Sequence, residues 1–141
     1  MTTNFQLNEH FKDESKFLRC FSRNELPLKL DDNEYLILNL NKTDEPGSHW
    51  CACYRKNGIL YYFDSFGITP PPEVLNMNKD PKTKLLYNVN QIQDINSSYC
   101  GHYCVHFIEQ ALKDRHFIDT VYNFGSNTLR NDNFIKNKIK L

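Results

Sequence analysis

Four side chains of this 141-residue chain have types and spacings suited to acid–base and nucleophilic chemistry: His49, Asp64, Gln93 and Cys100. His49 opens one apolar run and Asp64 closes the next, with Asn57-Gly58 between them. An Asn-Gly pair between two such runs marks a tight hairpin, because both turn positions need positive φ. With a two-residue turn, Lys56 faces Ile59, Cys51 faces Asp64 and His49 faces Phe66. Successive strand side chains alternate faces, so His49, Cys51, Cys53, Tyr62 and Asp64 point the same way. His49 and Asp64 then become diagonal neighbours within side-chain reach. A carboxylate beside an imidazole fixes its tautomer and stabilises its charged form. A His–Asp pair on its own is more often two solvated strand ends, so a third group decides.

Cys100 is the candidate third group. Asn96-Ser97-Ser98 reads as an N-cap cluster, which places Cys100 and Gly101 in the first turn of a helix. The free N–H groups and the dipole there stabilise an anion. A thiol so placed, with an imidazolium nearby, loses its proton more readily and becomes a nucleophile. Gly101 lets a substrate backbone approach closely. The bland alternative is a small core residue, and Cys104 fits it better, one turn deeper on the face of Ile108 and Leu112. Gln93, in the loop before this helix, offers a side-chain amide to an oxyanion, with Gln91 as a neighbouring competitor. Trp50, the only tryptophan, points away from His49, into the core or along the wall of a groove.

Zinc is the rival chemistry. His49, Cys51 and Cys53 share a strand face, and Cys100, His102, Cys104 and His106 crowd seven positions. On a helix, however, the cysteine pair and the histidine pair lie about 160° apart. No Cys-x-x-Cys knuckle accompanies either pair. Neither a metal nor a cofactor is expected.

The elements that must position these groups follow from pattern. Residues 5–22, with Phe5, Leu7, Phe11, Phe17, Leu18 and Phe21, suggest a helix in two pieces, closed by Pro27. Residues 34–40 read as a buried strand, 42–48 as a loop around Pro46-Gly47, and 49–56 and 59–66 as the hairpin. Residues 84–89 suggest another strand, and 100–113 carry apolar residues at helical spacing. The tail from residue 114 is helical in parts, with a break at Gly125. The class expected is α+β: a small, mostly antiparallel sheet packed by helices, with the Cys100 helix central and its N-terminus facing His49.

Composition sets the outer bounds. Hydrophobic residues make up 40% and charged residues 24%, inside the globular range, so one domain over residues 1–141 is expected. Lys plus Arg and Asp plus Glu are 17 each, for a net charge of +0, which argues against nucleic acid or an anionic membrane as partner. No run approaches the ~20 apolar residues of a membrane helix, and residues 1–16 lack the apolar core of a signal peptide. Five unevenly spaced cysteines suit a reducing compartment better than a disulfide framework.

With these residues in view, the sequence resembles the adenain-type cysteine proteases. These are the adenovirus maturation protease and its relatives in large DNA viruses, virophages and virus-like transposons, within the clan of the ubiquitin-like-modifier proteases. The matching pieces are Gly47-Ser-His-Trp-Cys-Ala-Cys53, Tyr61-Tyr-Phe-Asp-Ser-Phe-Gly67 and Gln93-Asp-Ile-Asn-Ser-Ser-Tyr-Cys-Gly101. The resemblance covers about residues 34–113, and its specificity lies in the order and spacing of His, acid, Gln and Cys-Gly. It implies His49 as general base, Asp64 as orienting acid where adenain has Glu, Gln93 as oxyanion donor and Cys100 as nucleophile. It implies Trp50 as part of the substrate's entry. The implied partner is a polypeptide, a capsid or virion precursor cut at Gly-containing sites, with the enzyme in the virion and in the host cytoplasm or nucleus. Residues 68–92 contain no cysteine, so a disulfide-linked peptide activator is not expected, and a monomer is. The alternatives are a protease acting on ubiquitin or its relatives, and a non-enzymatic zinc or binding module.

Overall fold

A computed structural model of the chain describes residues 2–44, 49–80 and 82–141. The proline–glycine centre of the loop at 42–48, and with it Gly47 and Ser48 of the first motif, lies outside the described residues. Five strands form one sheet in the order β1-β2-β3-β4-β5: β1 (Phe17–Ser22), β2 (Glu34–Asn39), β3 (Trp50–Lys56), β4 (Ile59–Phe63) and β5 (Lys84–Tyr87). The three central strands are antiparallel. Each edge strand runs parallel to its neighbour, so the sheet is mixed. Among the described residues, five α-helices complete the α+β fold: α1 (Asn4–His10), α2 (Pro72–Asn76), α3 (Cys100–Leu112), α4 (Phe117–Tyr122) and α5 (Thr128–Lys138).

The residue 5–22 pattern divides differently from the expectation. Only Asn4–His10 is helical, opened by a capping box between Thr3 and Gln6. Phe17–Ser22 is a strand paired with β2. Phe17 and Cys20 are buried while Leu18 is 38% exposed, so the apolar spacing that suggested a helix serves a sheet edge. Phe11, just past α1, stacks on Phe17 with ring centroids 4.6 Å apart and ties the two pieces together.

Strand β2 is buried on both faces, which explains its unbroken apolar run. Tyr35 and Ile37 join the larger core with Trp50, Ala52, Phe63 and α3. Leu36 and Leu38 join a smaller core with Cys51, Cys53, Tyr62, Leu30, Val74 and Met77 on the far face. The hairpin turn is as its sequence dictates: Asn57 and Gly58 have φ of 51° and 76°, and Lys56 pairs with Ile59. Helix α3 lies across β3, with Phe107 stacked on Phe63 at a ring separation of 3.6 Å. Its amino end therefore points to the edge of the sheet where β3 begins, beside His49.

His106 faces the tail. Its ring meets Phe107, Phe124 and Phe134 edge-on, and its Nδ1 is buried without a hydrogen bond. Burial, followed by the charges of Lys138 and Lys113, lowers its pKa to about 4 from the ordinary 6.5. The folded chain holds it neutral, while the unfolded chain protonates it below about 6.5. The stability that depends on this neutral ring is present above that pH and is lost as pH falls toward 4. His106→Phe is expected to flatten the acid limb of the stability curve by up to about 3 kcal/mol, as read by urea unfolding at about pH 7 and about pH 4.

Candidate active site

The site is assembled where the hairpin ends meet the start of α3. His49 precedes β3, and its Nε2 lies 2.7 Å from Asp64 Oδ1, just past β4. Both residues are buried, Asp64 completely. The same Oδ1 accepts the Phe66 backbone N–H at 2.8 Å. Asn88 grips the Asp64 main chain from both sides, accepting from its N–H at 3.1 Å and donating to its carbonyl at 2.7 Å. The turn after Asp64 closes at Gly67, whose φ is +74° and whose Cα is crowded by the Asn90 carbonyl, so a Cβ there would clash at 2.6 Å. Asp64 is thus fixed before it touches His49.

Phe66 stacks flat on the imidazole, with centroids 4.5 Å apart and planes within 16°. The hairpin register already set these two residues opposite each other. The Cys51 sulfur lies within 4.8 Å of the ring's ligating nitrogen, and the Cys100 thiol also acts on His49. Burial, the largest single influence, disfavours charge on His49. The bond to Asp64, then the influence of Cys100 and Cys51, outweighs it and raises its pKa well above the ordinary 6.5. The balance favours the imidazolium form of the ring.

Cys100 begins α3, but the cap differs from the expectation. Tyr99 is the N-cap residue and no side chain caps the helix. Ser97 is otherwise engaged: its carbonyl and Oγ accept from Gln93 Nε2 at 2.9 and 3.0 Å. The first-turn N–H groups, left without a side-chain cap, suit an anion. The other four cysteines are also buried and free. Burial raises the Cys20 pKa to about 12 and that of Cys51 to about 11, and carries Cys53 and Cys104 well above the ordinary range. Those four thiols stay protonated near neutrality.

Gln93 is fully buried, and its side chain bonds Ser65 and Ser97, not His49 or Cys100. Ser65 holds it at several points. The Ser65 carbonyl accepts the Ile92 and Gln93 N–H groups at 2.8 and 3.0 Å, and its Oγ donates to Gln93 Oε1 at 2.5 Å. That last bond forces the amide NH₂ to turn toward the loop leading into Cys100. Gln91 donates to the Gln93 carbonyl at 3.0 Å instead of competing for its place. If Gln93 serves the oxyanion, Ser65→Ala is expected to lower kcat about tenfold with little change in KM, less than the 10²–10³ of losing the donor itself. Steady-state kinetics on the double variant check this: in a Gln93→Ala background, Ser65→Ala should cost nothing further.

Trp50 lies on the face opposite His49, in the larger core. Its indole N–H donates to the Thr2 carbonyl at 3.0 Å, and Thr2 also packs on Gly101, whose added Cβ would meet Thr2 Cβ at 3.0 Å. In this structure the space beside Gly101 expected for a substrate backbone holds Thr2. A cleft of about 370 Å³ continues from Trp50, lined by Thr2, Arg19, Phe21 and Asn39 among others.

Among the described residues, one group of potential metal donors is drawn together: His49, Cys51 and Asp64. The cysteine and histidine pairs of α3 do not join it. His102 is half-buried near Lys140, and His106 sits among phenylalanines. Sequence reasoning gave no role to three contributors: Phe66 on the imidazole, Cys51 beside it, and Ser65 behind Gln93. The hairpin register contained the signal for the first two.

Comparison with known proteins adds the following. No family model matches the chain. Over 99 residues it is 32% identical to a protein of Acanthamoeba polyphaga mimivirus whose name describes a thiol protease. That match covers 62% of this chain and 32% of the mimivirus protein, so this chain spans about a third of that relative's length. Two crystal structures of the ASFV pS273R protease share the fold. One superposes with a TM-score of 0.57 at 20% identity, covering 82% of this chain and 59% of that one. The selenomethionine form gives 0.61 at 17% identity, covering 93% and 66%. The chain therefore has the α+β fold of a viral protease and sequence likeness to a protein named as a viral thiol protease, and it resembles the adenain-like viral cysteine proteases.

Proposed function

We propose that this chain is a cysteine endopeptidase that processes capsid or other virion precursor proteins at Gly-containing sites. The observation that carries the reading is the buried His49 held at 2.7 Å by Asp64 and influenced by Cys100 at the amino end of α3. The names of the mimivirus and ASFV relatives, a thiol protease and a protease, support its peptidase part.

The chemistry follows from the placement. The Cys100 proton resides on His49, and the resulting thiolate attacks the peptide carbonyl. Negative charge passes to the carbonyl oxygen, stabilised by the Cys100 N–H and the Gln93 amide. For this, Gln93 exchanges one of its bonds to Ser97 for the oxyanion. The imidazolium gives its proton to the leaving amine, and the neutral ring then takes one from water as the acyl-enzyme is hydrolysed. Asp64 keeps the ring oriented throughout. Trp50 borders the approach to the site. The substrate is a polypeptide, and the enzyme acts as a monomer without cofactor. It works in the virion and in the host cytoplasm or nucleus, consistent with five free cysteines.

The test is to incubate the purified chain, under reducing conditions, with capsid precursors and separately with ubiquitin-like fusions. Cleavage of the precursors next to glycine, lost in Cys100→Ala, is the expected result. Cleavage of the fusions alone would move the assignment to a modifier-removing protease. Inertness toward both, with a slow Cys100, would remove the enzymatic reading.

A further inference from the structure

We propose that His49, Cys51 and Asp64 form a zinc-binding site whose occupation switches the catalytic pair off; the switching rests on the protease reading, the zinc site does not. One ligand atom from each of the three residues lies within 4.8 Å of the other two. All three residues are buried, Cys51 and Asp64 completely. Small side-chain adjustments bring such a set to the zinc bond lengths of about 2.0–2.3 Å. An imidazole, a thiolate and a carboxylate with a fourth position open is a zinc donor set. The sulfur excludes calcium and magnesium, which take oxygen ligands.

A second observation points to the same spot. Asp64 Oδ1 serves both His49 and the Phe66 N–H, but Oδ2 is buried and has no hydrogen-bond partner among the described residues. A buried carboxylate oxygen without a partner needs a reason. Zinc would supply the partner that the protein withholds. Cys51 also lacks a task in the peptidase mechanism, although it touches His49.

Binding is an exchange of protons for metal. Zinc takes the Asp64 carboxylate, the Cys51 sulfur and the His49 nitrogen that faces Asp64. The thiol proton and that ring proton pass to solvent, and nothing is oxidised or reduced. A metallated His49 keeps its Nδ1 proton, but giving it up would leave an imidazolate on the metal, so the ring can neither take a second proton nor readily deliver one to a leaving amine. Zinc therefore inhibits by capturing the base, with Cys51 as the residue that makes capture tight.

The experiment uses the full chain with Cys100→Ala, so the nucleophile cannot bind metal and no turnover is needed. Zinc is titrated against a chromogenic chelator, and cobalt replaces it for spectroscopy. The expected result is one equivalent bound, with a thiolate-to-cobalt charge-transfer band. Adding Cys51→Ala should remove the band and weaken zinc at least about tenfold, whereas Cys53→Ala should keep both. Absence of binding, or a band that survives Cys51→Ala, overturns the site. If the Cys51 variant does not fold, the His49 ring nitrogens are followed by NMR in the Cys100→Ala chain, and resonances unmoved by zinc overturn it equally. An inactive enzyme that still binds zinc this way would defeat the protease reading alone.

Discussion

Cys100→Ser is expected to abolish peptide hydrolysis, with kcat falling on the order of 10⁶-fold, the scale seen when a nucleophile acting as one unit with its base is removed. The substitution changes one buried atom, and Ser is small enough to keep α3 on β3. What it removes is the charge state. His49, raised well above the ordinary imidazole range, can hold a proton taken from a thiol but not one taken from an alcohol. The serine hydroxyl stays protonated, and the uncapped first turn of α3 has no anion to stabilise. Unfolding curves that superpose on those of the parent, together with loss of product in a cleavage assay, are the expected pair of results.

Asp64→Ala should lower kcat about 10⁴-fold, by analogy with the loss of the orienting carboxylate in a triad. Two influences then act together. The ring loses the 2.7 Å bond that orients it, and burial, which lowers the His49 pKa, is no longer outweighed by the carboxylate. The imidazole becomes neutral at pH 7 and residual activity survives only toward acid. Asp64→Asn keeps the shape but loses the charge and offers an amide that can hold the ring in the wrong tautomer, so it should fall about as far as Ala. Stability follows the same sign. The stabilisation from charged His49 is fully present below its unfolded value of about 6.5. It is lost only as pH rises through the higher folded value, so parent and Asp64→Ala should differ least in alkali. Activity–pH profiles and unfolding at several pH values measure both effects.

What could be read from the sequence was local. Asn57-Gly58 set the hairpin register, and that register alone placed Asp64 and Phe66 against His49, as found. The α3 boundaries were visible because its apolar face repeats with the helical period. The β1 segment misled because Phe17, Leu18 and Phe21 satisfy a helix and a strand equally, and only pairing with β2 decides. Ser97 misled for a different reason: serine is a good cap in isolation, but here it serves Gln93. The bond between Trp50 and Thr2 joins residues 48 positions apart, and no pattern along the chain announces it. Local spacing thus revealed the chemistry of the site, and tertiary packing determined what surrounds it.

The central claim is that Cys100 and His49 form a thiolate–imidazolium pair. It is tested most directly by alkylation with an iodoacetamide probe across pH, read by mass spectrometry at each cysteine, in the parent and in His49→Ala. Burial keeps Cys20, Cys51, Cys53 and Cys104 protonated, so they act as internal controls. The pair predicts fast labelling of Cys100 alone below pH 7, abolished in His49→Ala. Labelling of Cys100 no faster than that of Cys20 or Cys104, or unchanged without His49, would contradict it.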